Sequence, residues 1–105
     1  MDEPMWCVVM FDLPVKTKPQ RQEATQFRLL LLDLGFVMVQ LSVYTKFLPV
    51  GGGLALPVKS IKSNLPPGGK VRVFTMTDHQ WAQALRFSNG EPEVEPEQPE
   101  LLTLF

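Results

Sequence analysis

The chain has 105 residues, 45% of them hydrophobic, which is enough for one domain and too few for two, and a domain this small often gains stability by oligomerisation. A single cysteine excludes a disulfide framework, and the absence of a long apolar run or a basic N-terminal start argues against a membrane span or signal peptide, so we expect a cytoplasmic protein. The net charge of −1 conceals a body (residues 1–90) with ten Lys/Arg and six Asp/Glu, and an end segment (residues 91–105) with five Glu and no Lys or Arg.

The first third of the chain predicts a strand followed by a helix. Residues 5–11 form a continuous apolar run that is typical of a strand buried on both faces. Thr17 and Gln20 match a capping box, and Gly35 provides a left-handed exit from the helix that follows. The apolar residues of this helix share one face: Ala24, Phe27, Leu31 and Leu34.

The middle of the chain predicts two short strands, at residues 36–40 and 42–48, and then a second helix. The apolar face of that helix holds Leu54, Val58, Ile61 and Leu65, and Pro57 must lie in its first turn. A turn at residues 66–69, a strand from Lys70 to Thr77, a short helix at about 79–84 and a short strand at residues 85–87 complete the series. The order βαββαβ predicts an α+β ferredoxin-like sandwich over residues 1–90.

Residues 91–105 have a different composition. Glu and Pro alternate up to Glu100, which favours an extended, solvated tether, and the segment ends in the apolar residues Leu101, Leu102, Leu104 and Phe105. We expect a separate acidic tail whose apolar end docks on a partner, by adding a strand or filling pockets. The alternatives are that it folds back on its own domain or stays disordered.

Three motifs in a fixed order carry a family resemblance. Residues 8–14 (VVMFDLP) place Asp12 at the end of the first strand, residues 35–46 contain Gln-x-Ser-Val-aromatic, and residues 64–80 contain NLPPGGKVRVFTMTDHQ. Together they resemble the small CRISPR adaptation proteins of type II systems. The resemblance covers about four-fifths of the chain and leaves out the tail. The glycines at 51–53 and Pro57 depart from the charged second helix usual in that family.

The resemblance implies a homodimer whose two sheets face each other, with Leu85, Arg86 and Phe87 completing the sheet of the partner subunit. It also implies an integrase partner, and a protospacer duplex held by the central dimer. Family members are described as Mg²⁺-dependent endonucleases acting on RNA or duplex DNA. By this resemblance Asp12 is the metal ligand and the catalytic carboxylate; the alternative is that Asp12 caps the turn that follows it.

Basic residues around the first helix and the sheet are candidates for nucleic-acid binding. Arg86 could add to this group, and the alternative is an ordinary solvated helix face. The candidates are Lys16, Lys18, Arg21, Arg28, Lys46 and Arg72. We expect His79 to be an exposed residue and Cys7 to be a small core residue. The apolar tail end resembles the Leu-x-Leu-Phe end of peptides that bind the bacterial sliding clamp, so the clamp is a second candidate partner beside the integrase.

The resemblance implies a DNA-holding adaptor with weak Mg²⁺-dependent nuclease activity. An alternative from another class is a stand-alone metal-dependent endoribonuclease of toxin type. A ferredoxin-like regulatory module that binds a small ligand has less support, because the sequence lacks a Gly-rich phosphate loop.

Overall fold

A computed structural model describes residues 3–49 and 53–92 of the chain. Within these ranges, three helices and six strands follow one another in the order β1 (Met5–Asp12), α1 (Lys18–Asp33), β2 (Val37–Gln40), β3 (Val43–Leu48), α2 (Ala55–Ser63), β4 (Lys70–Thr77), α3 (Asp78–Ala82), β5 (Phe87–Ser88) and β6 (Glu91–Pro92).

The first four strands form one sheet in the order β2-β3-β1-β4, and every neighbouring pair is antiparallel. α1 and α2 cover one face of this sheet. The core between them joins Cys7, Val9 and Phe11 of β1 to Phe27 and Leu31 of α1 and to Ile61 of α2. This arrangement confirms the predicted ferredoxin-like fold.

Local signals determine both ends of α1. The Thr17 side chain accepts a hydrogen bond from the Gln20 backbone at 3.2 Å, and the Gln20 side chain accepts one from the Thr17 backbone at 3.0 Å, so the predicted capping box is confirmed. Gly35 follows the helix with φ +95°, a conformation that side chains other than glycine rarely adopt. The predicted apolar face is also confirmed at Ala24, Phe27 and Leu31, which are buried.

The other face of the sheet is not covered by α1 or α2, and we call it the open face. Side chains alternate along β1, so residues 6, 8, 10 and 12 point to the open face, away from the helices. Residues that pair across an antiparallel sheet share a face, and the register therefore adds Phe74 beside Val8, Arg72 beside Met10 and Lys70 beside Asp12. β3 adds Val43, Thr45 and Phe47.

α3 closes one end of the open face. Its N-cap is Thr77, which forms a second capping box with Gln80. The helix begins one residue earlier than predicted. Trp81 stacks on Trp6 with 4.7 Å between ring centroids, and the Trp6 indole donates a hydrogen bond to the Asp78 carboxylate at 2.8 Å. Phe47 also packs against Trp6, with 5.0 Å between ring centroids.

The short strand expected at residues 85–87 lies later in the chain, so that prediction is wrong in its bounds. β5 pairs with β6 in a hairpin whose turn residues, Asn89 and Gly90, have φ 55° and 80°. Asn-Gly favours this tight type of turn, and it fixes the strands on either side of it. Leu85 and Arg86 precede the strand, and the first two residues of the predicted tail belong to β6. Along the described ranges, no helix is long and apolar enough to cross a membrane.

Candidate nuclease and nucleic-acid site

Asp12 is the last residue of β1, on the open face, and its side chain is exposed. Lys70, the first residue of β4, lies directly opposite it in the strand register. No residue in the described ranges forms a hydrogen bond or ion pair with the Asp12 carboxylate, and the alternative role as a turn cap therefore has no supporting contact there. The carboxylate is free to bind a ligand that approaches the open face from this end.

A single protomer offers few ligands for a metal ion. In the parts of the chain that the structure describes, no three His, Cys, Asp or Glu side chains come together. Mg²⁺ takes oxygen ligands and keeps several waters, so one or two carboxylates are sufficient for it. Asp12 fits one such ligand, and a second protein ligand would have to come from another copy of the chain.

The candidate basic residues separate into two groups. Lys16, Lys18 and Arg72 are exposed, and their side chains bond to no residue that the structure describes. Lys70 belongs with them although the motifs did not single it out; its spacing of two residues from Arg72 in a strand is the signal that could have found it. These four cations are available to phosphate groups.

The other group is engaged within the protomer. Arg21 donates to the carbonyls of Val15 and Lys16 at 3.2 and 3.0 Å. The Arg28 guanidinium lies over the Phe11 ring at 5.6 Å, and its Nε is buried without a hydrogen-bond partner among the described residues. Both arginines still carry their charge beside α1, but part of each guanidinium is committed to the fold.

Lys46 is the most strongly engaged cation. Its Nζ donates to the Leu34 carbonyl at 2.7 Å, at the C-terminal end of α1, and the contact is partly buried. Its stem lies against Gly35, where an added Cβ would come within 3.2 Å of the ammonium nitrogen. A cation at this end of a helix is stabilised by the helix dipole and by the unpaired carbonyls. The geometry therefore assigns Lys46 a structural role, which sequence reasoning missed because the contact is tertiary.

Cys7 lies in the core and His79 lies on the surface, as the sequence predicts. Cys7 is buried in the core, and burial raises the pKa of its thiol from 9.0 to about 11, an effect that the nearby charge of Lys46 partly offsets. A thiol with a raised pKa is a poor nucleophile at neutral pH. His79 is exposed in the first turn of α3.

The open face is apolar between its two ends. Phe47 and Phe74 are 39% and 41% exposed in the protomer, and Val8 and Thr45 between them are buried. The Thr45 hydroxyl is buried without a hydrogen-bond partner in the described ranges. Leu85, which precedes β5, is 84% exposed, and Phe87, in β5, is 64% exposed. Leu101, Leu102, Leu104 and Phe105, the candidate partner-binding residues, lie outside the described residues.

Known proteins are similar in sequence to this chain over most of its length. A sequence model of the family described as CRISPR associated protein Cas2 matches residues 5–84. The chain is 43% identical over 101 residues to the CRISPR-associated endoribonuclease Cas2 of Paracidovorax avenae, which covers 96% of this chain and 94% of that protein. The proteins of the same name from Flavobacterium psychrophilum and Parvibaculum lavamentivorans are 38% and 34% identical, over 96% of this chain and 88% and 100% of their own lengths.

These alignments reach into residues 91–105, because 96% of the chain cannot be covered without them. The family model ends at residue 84 and leaves out residues 91–105, as expected, whereas these individual relatives extend into that segment.

Proposed function

The chain belongs to the Cas2 family of CRISPR-associated proteins, and on this premise we propose that it is a cytoplasmic homodimer that holds duplex protospacer DNA for an integrase during spacer acquisition. The observation that carries the proposal is the open face, an apolar surface that ends in Asp12 and Lys70. Weak Mg²⁺-dependent cleavage of RNA or duplex DNA through Asp12 is the second part of the proposal.

Dimerisation through the open face accounts for its composition. A sheet covered by helices on one face only leaves the other face to water, and water-facing strands normally carry polar residues. Here Phe47 and Phe74 lie at its surface instead. Two copies joined through this face would cover these rings. Leu85, Arg86 and Phe87 would complete the sheet of the partner subunit, which gives a role to the exposed side chains of Leu85 and Phe87.

The free cations provide the nucleic-acid contacts in this proposal. Lys16, Lys18, Lys70 and Arg72 are not committed to the protomer's fold. Lys70 and Arg72 lie on the open face, opposite Asp12 and Met10, and Lys16 and Lys18 follow Asp12 in the chain. Lysine and arginine at a surface bind backbone phosphates without reading the sequence, and this binding weakens steeply with salt. Arg21 and Arg28 add charge beside α1, whereas Lys46 supports the fold.

The cleavage activity would need two copies of Asp12, one from each subunit. A bound Mg²⁺ supplies Lewis-acid stabilisation and a more acidic water for attack on the phosphodiester. Asp12 would hold the ion through its carboxylate oxygens, and Lys70, opposite in the register, would hold a substrate phosphate. Relatives named endoribonucleases support this part, and they also favour the second candidate function, a stand-alone endoribonuclease of toxin type.

The tail is proposed to bind a protein partner through Leu101, Leu102, Leu104 and Phe105. The integrase is the first candidate and the sliding clamp is the second. Deletion of residues 93–105 keeps β6 and removes the apolar end. Loss of co-purification with one partner, and not with the other, would identify which of them the tail binds. Unchanged binding of both would leave the tail without this role.

Reconstituted integration tests the adaptor proposal. The cognate integrase, a protospacer duplex and a repeat-containing target are combined with the wild-type protein, with Asp12→Ala or with Asp33→Ala, a control at an exposed carboxylate that ends α1. We expect integration to require this protein and to survive both substitutions, whereas cleavage of labelled RNA or duplex is lost only in Asp12→Ala. Equal integration without the protein would refute the adaptor role; cleavage that persists in Asp12→Ala would refute the nuclease role.

A further inference from the structure

The turn between α2 and β4 lies unusually close to the end of β1 that carries Asp12. A Cβ placed on Gly69 would come 2.5 Å from Leu13 Cδ2, 3.0 Å from the Asp12 carbonyl oxygen and 3.3 Å from Leu13 Cα. The shortest of these distances is 0.9 Å below the 3.4 Å at which ordinary contact begins. The nearest atom is the end of a flexible side chain, which can turn away, whereas the two backbone atoms would have to yield by a few tenths of an ångström. The Gly69 backbone is not in the left-handed region, so close approach to this backbone, and not conformation, favours a glycine here.

The neighbouring residues make the turn and the strand end one packed unit. Gly68 has φ +79°, and a Cβ there would lie 3.6 Å from Pro14 Cγ, in ordinary contact. Lys70 follows Gly69 directly and pairs with Asp12 as the last pair of the β1–β4 ladder. The turn thus packs along the backbone from Asp12 to Pro14, and any shift in one moves the other.

The Asp12 side chain depends on this backbone for its position. Its carboxylate forms no hydrogen bond or ion pair with a residue in the described ranges, so side-chain contacts from those ranges do not orient it. The position of the carboxylate therefore depends on the Asp12 backbone. Pairing with β4 fixes this backbone on one side, and Gly69 lies close to its carbonyl group.

We propose that Gly69 is a positioning residue for Asp12: the missing side chain lets the turn at residues 66–69 pack on the Asp12 carbonyl and so places the carboxylate at the edge of the open face. This inference rests on the proposed metal-dependent cleavage through Asp12. Metal–ligand distances are held to about ±0.2 Å, and a reacting group misplaced by about 1 Å can lose on the order of 100-fold in rate. The backbone contacts at Gly69 imply a shift of a few tenths of an ångström, so we expect Gly69→Ala to lower kcat by about 3-fold to 10-fold and to leave the KM for RNA unchanged.

Four variants test the inference. Gly69→Ala introduces the close contacts, and Leu13→Ala removes the Cδ2 atom nearest to the new methyl group but leaves both backbone contacts. The double variant therefore separates the side-chain clash from pressure on the Asp12 carbonyl. Gly53→Ala is the matched control, because its Cβ would meet nothing within 4 Å, although its φ of +80° imposes a backbone cost of its own. Each dimer is assayed for Mg²⁺-dependent cleavage of labelled RNA, for unfolding in urea, and for the backbone amide shifts of Asp12 and Leu13 by NMR.

The expected pattern separates positioning from general destabilisation. Gly69→Ala moves the two amide shifts and lowers kcat, the double variant keeps both effects relative to Leu13→Ala alone, and Gly53→Ala lowers stability without changing kcat. Unmoved amides, or full recovery of kcat in the double variant, would overturn the inference. If Gly69→Ala does not fold, the double variant, compared with Leu13→Ala alone, decides by the same two measurements. If the wild-type protein does not cleave RNA, the proposed nuclease activity fails, and the amide shifts alone decide whether Gly69 places Asp12.

Discussion

Replacement of Lys46 distinguishes its two candidate roles, which are to cap the C-terminal end of α1 and to bind DNA phosphate. Lys46→Met keeps most of the apolar stem, which lies against Gly35, and removes the ammonium group that donates to the Leu34 carbonyl at 2.7 Å. The carbonyl then remains partly buried at the end of α1 without its partner. If Lys46 instead bound DNA phosphate, the substitution would weaken binding and leave the fold unaffected.

The expected loss of stability follows from the hydrogen bond and its place at the helix end. A hydrogen bond from a charged donor contributes roughly 1.5–3 kcal/mol, and a cation at a helix C-terminus adds about 0.3–1 kcal/mol. Because the site is only partly buried, we take the low end and expect the free energy of unfolding to fall by about 1.5 kcal/mol. For a domain of this size the melting temperature would drop by roughly 6–12 °C.

Urea unfolding and salt-dependent duplex binding measure the two roles side by side. Lys16→Met is the comparison variant, because Lys16 is exposed, its side chain makes no bond within the described ranges, and it lies outside the strands of the open face. We expect Lys46→Met to lower stability and to keep the slope of log affinity against log salt. Lys16→Met should do the reverse, with a slope shallower by about 0.9 for each phosphate that the variant no longer neutralises. A shallower slope with unchanged stability in Lys46→Met would refute the reasoning.

Two further predictions concern the core and the closed end of the open face. Between pH 9 and pH 11 the unfolded chain loses the Cys7 proton while the folded chain keeps it, so stability present below pH 9 falls by up to about 2–3 kcal/mol as the pH rises to about 11. Urea unfolding at pH 8.5 and 10.5 should show a smaller fall in Cys7→Ala, and equal falls in the two proteins would contradict the raised pKa. Asp78→Ala removes the acceptor of the 2.8 Å bond from Trp6, so we expect a loss of about 1–2 kcal/mol in unfolding free energy and a changed tryptophan emission. The control Asp33→Ala should stay within about 0.5 kcal/mol of wild type, and an Asp78→Ala protein as stable as that control would show the bond to be unimportant.

Much of the fold could be predicted because its signals are local. The capping box of Thr17 and Gln20 and the exit at Gly35 lie within a few residues of the helix ends they determine, and the structure confirms them. The Asn89-Gly90 turn is an equally local signal, although the prediction did not use it; it places β5 at residues 87–88 and joins Glu91 to the folded domain.

The site is built from residues that lie far apart in the sequence, so no local pattern predicts their contacts. Asp12 was found from its motif, but its pairing with Lys70 is set by the register between β1 and β4, which lie far apart in sequence. The same holds for Lys46, whose hydrogen bond to Leu34 turns an apparent surface cation into a helix cap. Gly69 has the sequence pattern of a turn residue, and only the packed structure shows that its hydrogen atom faces the backbone of the Asp12 strand end.

Sedimentation equilibrium of the wild-type protein and Phe74→Asp, with duplex binding in dilute salt, tests the proposed homodimer most directly. Phe74 is 41% exposed, so a dimer through the open face would cover at most about 80 Å² of this residue per copy, worth up to about 2 kcal/mol per copy and about 4 kcal/mol per dimer. We expect wild-type protein at twice the chain mass that binds duplex, and a variant that dissociates about 1,000-fold more readily. A wild-type protein that stays monomeric at micromolar concentration, or a dimer that Phe74→Asp leaves intact, would contradict the account.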